Sequence, residues 1–353
     1  MKPNVASRKR RVGRVVLLVA MFLAFTPAWG QFVSPTVVFS KAVLHPSQVA
    51  VVVNESFPGS LEVGEYYLYA RGIPAKNLIR LNFPAASSTI GVDEFVAIRK
   101  DIDQRLDESI QVVVFVWTTP YAVACNSFTS AFSLGVQAEL CRKSCEPTRP
   151  NPYFNSRSIK PYRDFGLRLS MLLPVESVEK AKALIDRGVA SNGRRVRAKA
   201  FFLKTSDAAR SSRARFFPKS TEILSPPVSI RTQDADYIES ESGIILYHIG
   251  AATVPKLDSL RFLPGAIADH LTSSGGNLLG SGQMSSLRWL EAGATGSYGT
   301  VSEPCNHWQK FPNSAILLKH YLSGATLIEA YWRSVAWPAQ GLFIGEPLAA
   351  PYR

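Results

Sequence analysis

The sequence lacks the short glycine-rich motifs of the common nucleotide-binding and ester-cleaving sites. No phosphate-binding loop, dinucleotide fingerprint or Gly-x-Ser-x-Gly elbow stands between an expected strand and an expected helix. These absences exclude P-loop NTPases, Rossmann-type dehydrogenases and α/β-hydrolases. The sequence also has no internal repeat and no low-complexity tract, so function has to be sought in individual residues.

Cysteine is scarce, with four residues in a chain of 353. Cys125, Cys141, Cys145 and Cys305 form an even set, for which one or two disulfides are expected and the pairing is open. Cys141 and Cys145 have no second pair at metal-ligand spacing, which argues against a zinc site. We predict neither a metal nor a cofactor.

Long apolar runs are missing after the N-terminus. Residues 1–30 contain a basic segment, an apolar segment at 15–25 and the small-x-small sequence Ala28-Trp29-Gly30, the pattern of a secretory signal peptide. An uncleaved anchor is the alternative, but the run is shorter than the ~20 residues that a spanning helix needs. We therefore predict an exported protein, periplasmic or secreted, with no transmembrane helix in the mature chain and with disulfides permitted.

Acidic residues are outnumbered, with 27 Asp and Glu against 40 Lys and Arg. Without the six cations of residues 1–30, 40 − 6 = 34 basic residues face 27 acidic ones, a net charge of +7. Two basic clusters, at 193–199 and 210–215, either meet an anionic envelope polymer or, as we favour, form solvated faces flanking one strand. Because exported proteins rarely meet nucleic acid, none is predicted as a partner.

Apolar runs alternate with helical patterns from residue 31 to 353, which predicts a single α/β domain with 31–190 and 191–353 as possible halves. Strands are predicted at 49–53, 78–81, 110–117, 169–173, 198–203, 243–250 and 293–301. Helices are predicted from residue 60 and at 95–106, 178–185, 284–292, 315–322 and 326–335. Such alternation favours a mainly parallel sheet sandwiched between helices, because parallel strands need crossovers.

Residues 125–168 interrupt the alternation. They contain three of the four cysteines, several prolines and scattered cations, with no sustained period. We interpret this segment as a long insertion pinned by a disulfide, of the kind that often covers a site.

Six separated motifs carry a resemblance to an uncharacterised family of exported bacterial proteins. They are Asn54-Glu-Ser, Tyr66-Tyr67 with Arg71-Gly-Ile-Pro74, Thr118-Thr-Pro120, the run 263–273, the run 293–304, and Gly345-Glu-Pro-Leu348. The resemblance spans most of the mature chain and implies no established activity.

The chain more distantly resembles the gingipain and caspase-like cysteine peptidases. His248-Ile-Gly250 stands where those peptidases place their histidine, and Gly293-Ala294 and Gly345-Glu-Pro347 resemble the following strand and the terminal segment. Where the nucleophilic cysteine belongs, this chain has the run 269–276, which contains none. The resemblance implies a caspase-like or gingipain-like fold, for which a flavodoxin-like arrangement is the alternative, without the family's catalytic cysteine.

The run 269–276 is the best candidate site. It combines Asp269, His270 and several hydroxyls at the expected carboxyl end of a parallel strand, where ligands bind in such sheets. His270 is a candidate general base and Ser273 a candidate nucleophile, with His248 in support. The alternative is a turn in which Asp and Ser cap a helix and Gly275-Gly276 supplies positive φ angles.

Other candidates follow two further strands. Glu303, Cys305 and His307 alternate and would share one face if their strand continued, which suits Cys-His chemistry or a metal. The alternative, which we favour, is that Cys305 forms a disulfide, with Cys125 as a candidate partner. Asn54 and Glu55 end the first strand, as a ligand contact or as the loop into the next helix.

Two functions follow from these candidates, and the sequence does not decide whether the protein is an enzyme. The one we favour is a binding protein of the envelope or extracellular space, with a peptide or envelope polysaccharide as ligand. The alternative is a peptidase-like hydrolase that uses Asp269, His270 and Ser273.

Overall fold

The structure is a computed structural model that describes residues 44–220 and 228–353. The predicted signal peptide lies outside the described residues. Up to residue 191 the elements are β1 (Val49–Asn54), α1 (Ser60–Arg71), β2 (Leu78–Leu81), β3 (Thr89–Ile90), α2 (Val92–Arg105), β4 (Val112–Val116), β5 (Ala122–Val123), β6 (Asn126–Ser127), α3 (Phe128–Leu134), α4 (Pro161–Phe165), β7 (Leu169–Leu173) and α5 (Val178–Ser191). The later elements are β8 (Ala198–Lys204), β9 (Val228–Asp234), β10 (Ser242–Gly250), β11 (Arg261–Leu271), α6 (Leu287–Glu291), β12 (Gly296–Thr300), α7 (Ser314–Leu322), α8 (Leu327–Ser334) and β13 (Gly341–Gly345).

A ten-stranded sheet runs through the described part of the chain, in the order β2-β1-β4-β7-β13-β12-β11-β10-β8-β9. Within it, neighbouring strands are parallel except β12 and β13, which are antiparallel. The sheet therefore consists of two parallel halves that run in opposite directions and meet at this pair. The predicted α/β class with a mainly parallel sheet is confirmed.

Helices cover both faces of the sheet. Alternate residues of a strand point to opposite faces. Val49, Val51 and Val53 of β1 pack in one core with residues of α1, α5, α7 and α8. Ala50 and Val52 pack in another core with residues of α2 and α3. Both faces of β1 are buried, which explains why Val49 to Val53 are continuously apolar instead of alternating with polar residues.

Each of the seven predicted strands is present, and the ten-stranded sheet also contains β9, β11 and β13, of which β9 lies at one end. β9 pairs with β8 and alternates between buried residues, Val228 and Ile230, and exposed polar ones. A strand with one polar, exposed face gives little hydrophobic signal, which is why the sequence did not predict β9.

Both disulfides begin in the insertion 125–168. Cys125 is bonded to Cys141, and Cys145 is bonded to Cys305, 160 residues along the chain. The insertion is more regular than predicted, because it includes β6 and α3. Residues 128–133 of α3 are all buried, including Thr129, Ser130 and Ser133. The helix therefore has no charged, exposed face, and its seven residues are too few to show a sustained period.

Candidate functional site

The antiparallel pair sorts the candidate residues onto opposite edges of the sheet. The first edge, as we define it, holds the carboxyl ends of β1, β4, β7 and β13. The second edge holds the carboxyl ends of β8, β10, β11 and β12. Asn54 and Glu55 therefore lie at the first edge, whereas His248, Asp269 and His270 lie at the second.

At the first edge, Asn54 organises a loop. Its side-chain Nδ2 donates to the Phe83 carbonyl at 3.0 Å, and its Oδ1 accepts from the backbone amides of Ser56 and Phe83 at 3.1 and 3.2 Å. Asn54 is fully buried, and Glu55 forms a partly exposed ion pair with Arg80 at 3.7 Å. This geometry favours the loop alternative over a ligand contact for both residues.

At the second edge, Asp269 lies in a buried polar cluster. Its Oδ1 is 2.5 Å from Nη1 of Arg213, and its Oδ2 is 3.0 Å from Nε2 of His248 and 3.5 Å from the Tyr331 hydroxyl. At most 1% of any of these four side chains is exposed. Burial alone raises the pKa of Asp269, but Arg213 and His248 outweigh it and lower that pKa to about 2. Asp269 is therefore a buried carboxylate with a permanent counter-ion.

Ser314 extends this cluster into a line of three polar side chains. The Ser314 hydroxyl lies 2.8 Å from Nδ1 of His248, whose Nε2 faces Asp269. A serine, a histidine and an aspartate in line are the groups of a nucleophilic relay, but all three side chains are fully buried. A buried hydroxyl does not reach a substrate, so in this conformation the line stabilises the core.

The segment 205–217 closes the second edge from outside. Arg213 reaches under the strand ends, where its Nη2 donates to the carbonyls of Ile249 and Asp269, each at 3.1 Å. The Arg210 carbonyl lies only 2.1 Å from where a Cβ on Gly250 would stand. The interpretation of 210–215 as a solvated face is wrong for Arg213, which the structure buries as the counter-ion of Asp269.

His270 lies in the same strand as Asp269 but on the opposite face, because adjacent strand residues alternate. Nε1 of Trp289 donates to its Nδ1 at 2.9 Å, and its Nε2 is 2.9 Å from the Met284 carbonyl. These partners fit a neutral imidazole that donates from Nε2. Burial lowers the pKa of His270 to about 4.

The predicted set of Asp269, His270 and Ser273 is therefore not brought together. Ser273 is half-buried, and its carbonyl accepts from the Thr300 hydroxyl at 3.0 Å. Within residues 44–220 and 228–353, no hydrogen bond involves the Ser273 hydroxyl. The side chains that do contact Asp269 are those of Arg213, His248 and Tyr331, and Ser314 contacts His248 in turn. They come from four separate parts of the chain, and no local motif pointed to Arg213, Tyr331 or Ser314.

Glu303, Cys305 and His307 do not share a strand face, and that expectation is wrong. β12 ends at Thr300, and Cys305 has a left-handed φ of 59°. Its amide donates to the Glu303 carboxylate at 2.7 Å in a local turn. Among the described residues, no three His, Cys, Asp or Glu side chains are grouped so as to hold a metal ion.

All four cysteines are oxidised, so thiolate chemistry is not available. The pairing considered for Cys305 was Cys125, but its partner is Cys145. This bond ties the insertion to the loop that follows β12, and it places Cys305 in a structural role.

Beyond that disulfide, five side chains form what we call the aromatic surface: Arg215, Phe216, His307, Trp308 and Trp337. The Phe216 and Trp308 rings are 4.4 Å apart, and the His307 and Trp337 rings are 6.1 Å apart. The Arg215 guanidinium lies 5.3 Å from the Phe216 ring centre and 5.8 Å from that of Trp308. Arg215 is exposed and the rings are half-buried, so all can contact a ligand at the second edge.

Comparison with known proteins gives likeness at the level of the fold alone. The crystal structure of the Arg-specific cysteine proteinase gingipain R aligns with a TM-score of 0.48 and 10% identity, over 86% of this chain and 78% of that chain. A structure described as a protease aligns with a TM-score of 0.46 and 11% identity, over 88% and 80% of the two chains. No family model and no curated protein matches the chain, so the resemblance to an exported family stays a prediction.

Proposed function

We propose that this protein is a non-catalytic binding protein of the cell envelope or extracellular space, and that its second edge binds an anionic polysaccharide. The aromatic surface carries the proposal. Aromatic faces bear partial negative charge and attract the C–H faces of sugar rings, while a neighbouring guanidinium pairs with carboxylates or sulfates. Arg215 beside Phe216 and Trp308 supplies both kinds of contact.

The state of the second edge supports binding over catalysis. Asp269, His248 and Ser314 are fully buried, and His270 is neutral with both ring nitrogens engaged. A hydrolase needs a nucleophile and a base that reach the substrate. Of the candidate site residues at this edge, Ser273, Glu303 and His307 have solvent-accessible surface, whereas His248, Asp269 and His270 have none.

The positive net charge of the chain and its predicted export are consistent with an anionic polysaccharide as ligand. A net charge of +7 on residues 31–353 favours polyanions, and two disulfides suit an oxidising compartment. In the described part of the chain, no helix has both the length and the apolar character to cross a bilayer.

Affinity electrophoresis in gels that contain alginate tests the proposal. We expect alginate to retard the wild-type chain, and Trp308→Ala to weaken binding at least about tenfold, as loss of an aromatic anchor does. Tyr69→Ala is the matched control, because Tyr69 is an aromatic residue 86% exposed on α1, away from the surface. Dextran, which is uncharged, should retard the protein less than alginate. Equal migration with and without alginate would overturn the proposal.

The line of Ser314, His248 and Asp269 is the observation that favours the alternative, a hydrolase that opens to admit its substrate. A fluorophosphonate probe separates the two functions. If the probe labels the wild type but not Ser314→Ala, the relay is catalytic and the binding-only proposal fails. Loss of labelling in Ser273→Ala would instead support the predicted use of Asp269, His270 and Ser273. We expect no labelling of the folded protein.

A further inference from the structure

The first edge contains a charged cavity that the proposed function does not use. It lies between α5 and α6, beside Pro174 at the end of β7, and has a volume of about 440 Å³. Pro174, Leu184 and Leu290 give it an apolar wall. A volume of this size is typical of small-molecule sites.

Two of the three cations that line the cavity already have carboxylate partners. Lys180 lies 2.9 Å from Glu176 and 3.3 Å from Glu291, and Arg288 pairs with Glu291 and, at 3.2 Å, with Asp258. The carboxylates of the lining are thus engaged by Lys180 and Arg288.

Arg187 is the third cation, and its charge is uncompensated. Its Nη2 donates to the carbonyls of Leu290 and Ala294 at 3.2 and 2.7 Å. Its Nε is buried without a hydrogen-bond partner, and no described carboxylate lies within ion-pair distance of the guanidinium. Burial lowers the pKa of Arg187 to about 10, which reflects the same lack of a counter-ion.

We propose that this cavity binds a small monocarboxylate with a short apolar chain, with Arg187 as the residue that pairs with the carboxylate. One unpaired guanidinium calls for one negative charge, and a charge-assisted hydrogen bond is the strongest contact it can make. A dianion such as a phosphate monoester would also face Glu176 and Glu291, which disfavours it. The apolar wall receives the chain of the ligand.

Isothermal titration calorimetry with hexanoate tests this inference on the mature chain. We expect hexanoate to bind, and the uncharged hexanamide, of nearly equal size, to bind at least about tenfold more weakly. Hexyl phosphate should also bind more weakly than hexanoate. Equal affinity for the acid and the amide, or no heat from hexanoate at millimolar concentration, would overturn the proposal.

Substitutions then assign the role to Arg187. Arg187→Met removes the charge at similar length and should weaken hexanoate binding at least about tenfold, whereas Arg187→Lys should retain most of it. Arg231→Met, at an exposed position on β9, is the control and should bind as the wild type does. Unchanged binding by a folded Arg187→Met would refute the assignment. If that variant does not fold, the comparison of acid and amide on the wild type decides.

Discussion

At the scale of single residues, the second edge is organised by side chains that burial holds in one protonation state. Asp269 is kept ionised by Arg213, while His270 is kept neutral between Trp289 and Met284. Asp269 and His270 could both act as acids or bases, but both are buried and neither can exchange protons with a substrate. Their effect is on stability, and it depends on pH.

His270 makes the protein less stable as the pH falls below the ordinary histidine range. Its pKa is lowered from 6.5 to about 4 in the folded chain, so between these values the unfolded state binds more protons. The stabilisation is complete above pH 6.5 and is lost progressively towards pH 4. We expect His270→Gln, which does not titrate, to reduce this fall in the free energy of unfolding, measured by urea titration across that range.

Gln104→Asn is the control for this experiment, because Gln104 is exposed on α2 and neither side chain titrates. It should leave the pH dependence of the wild type unchanged. Identical pH profiles for the wild type and His270→Gln would contradict the account of His270 as a buried neutral imidazole.

Part of this arrangement follows from the sequence. Asp269 and His270 are adjacent in a strand, so their side chains face opposite sides, and this alternation explains why the joint acid-base role predicted for them is not formed. The partners of Asp269 could not be predicted in the same way. Arg213 and Tyr331, which contact Asp269, are tens of residues away from it in the sequence. Ser314, which contacts His248, is equally distant, and only the fold brings them together.

At the scale of elements, the close approach between segment 205–217 and the end of β10 closes the second edge. The segment passes so near Gly250 that a side chain does not fit between them. Thr205 adds a hydrogen bond from its hydroxyl to the Gly250 carbonyl at 2.6 Å. The absence of a side chain at Gly250 is thus a packing requirement of the segment.

We expect Gly250→Ala to destabilise the protein by about 1–3 kcal/mol or more, the usual effect of overpacking, because the new Cβ would meet the backbone of Arg210. Gly282→Ala is the matched control. No atom lies within 4 Å of its added Cβ, so its effect should stay within about 1 kcal/mol of zero. The midpoints of urea unfolding at neutral pH compare the two variants. Equal midpoints would show that segment 205–217 moves to accommodate the new Cβ without loss of stability.

The central strands were predictable because burial on both faces makes them mostly apolar, as in Val49–Val53 of β1 and in all of β4. The opposite directions of the two halves of the sheet could not be predicted from the sequence. The pattern of β13 is that of any short buried strand, and nothing local to Gly341–Gly345 reveals that it runs against β12. The division of the candidate residues between two edges therefore required the structure.

At the scale of the whole molecule, the two disulfides constrain the unfolded chain to different extents. Cys125–Cys141 closes a loop with a sequence separation of 16 residues, and Cys145–Cys305 one of 160. The loop-entropy relation gives about 3 kcal/mol of stabilisation for the shorter loop and about 5 kcal/mol for the longer. The longer bond also joins the insertion to the second half of the sheet.

We therefore expect the double variant Cys145→Ser with Cys305→Ser to lose about 2 kcal/mol more stability than Cys125→Ser with Cys141→Ser. Guanidinium denaturation of both variants and of the wild type measures the difference. A larger loss from opening the shorter loop would mean that local strain in the folded state, and not loop closure, sets the contribution of these bonds.

The opposed halves of the sheet also determine how far apart two ligands would lie. β12 has five residues, so its two ends are about 17 Å apart at about 3.3 Å per residue. A polymer on the aromatic surface and a carboxylate beside Arg187 would occupy opposite ends of such strands and would not compete for space. The molecule would then hold two unlike ligands at once, and saturating the cavity beside Arg187 with hexanoate should leave the retardation by alginate unchanged.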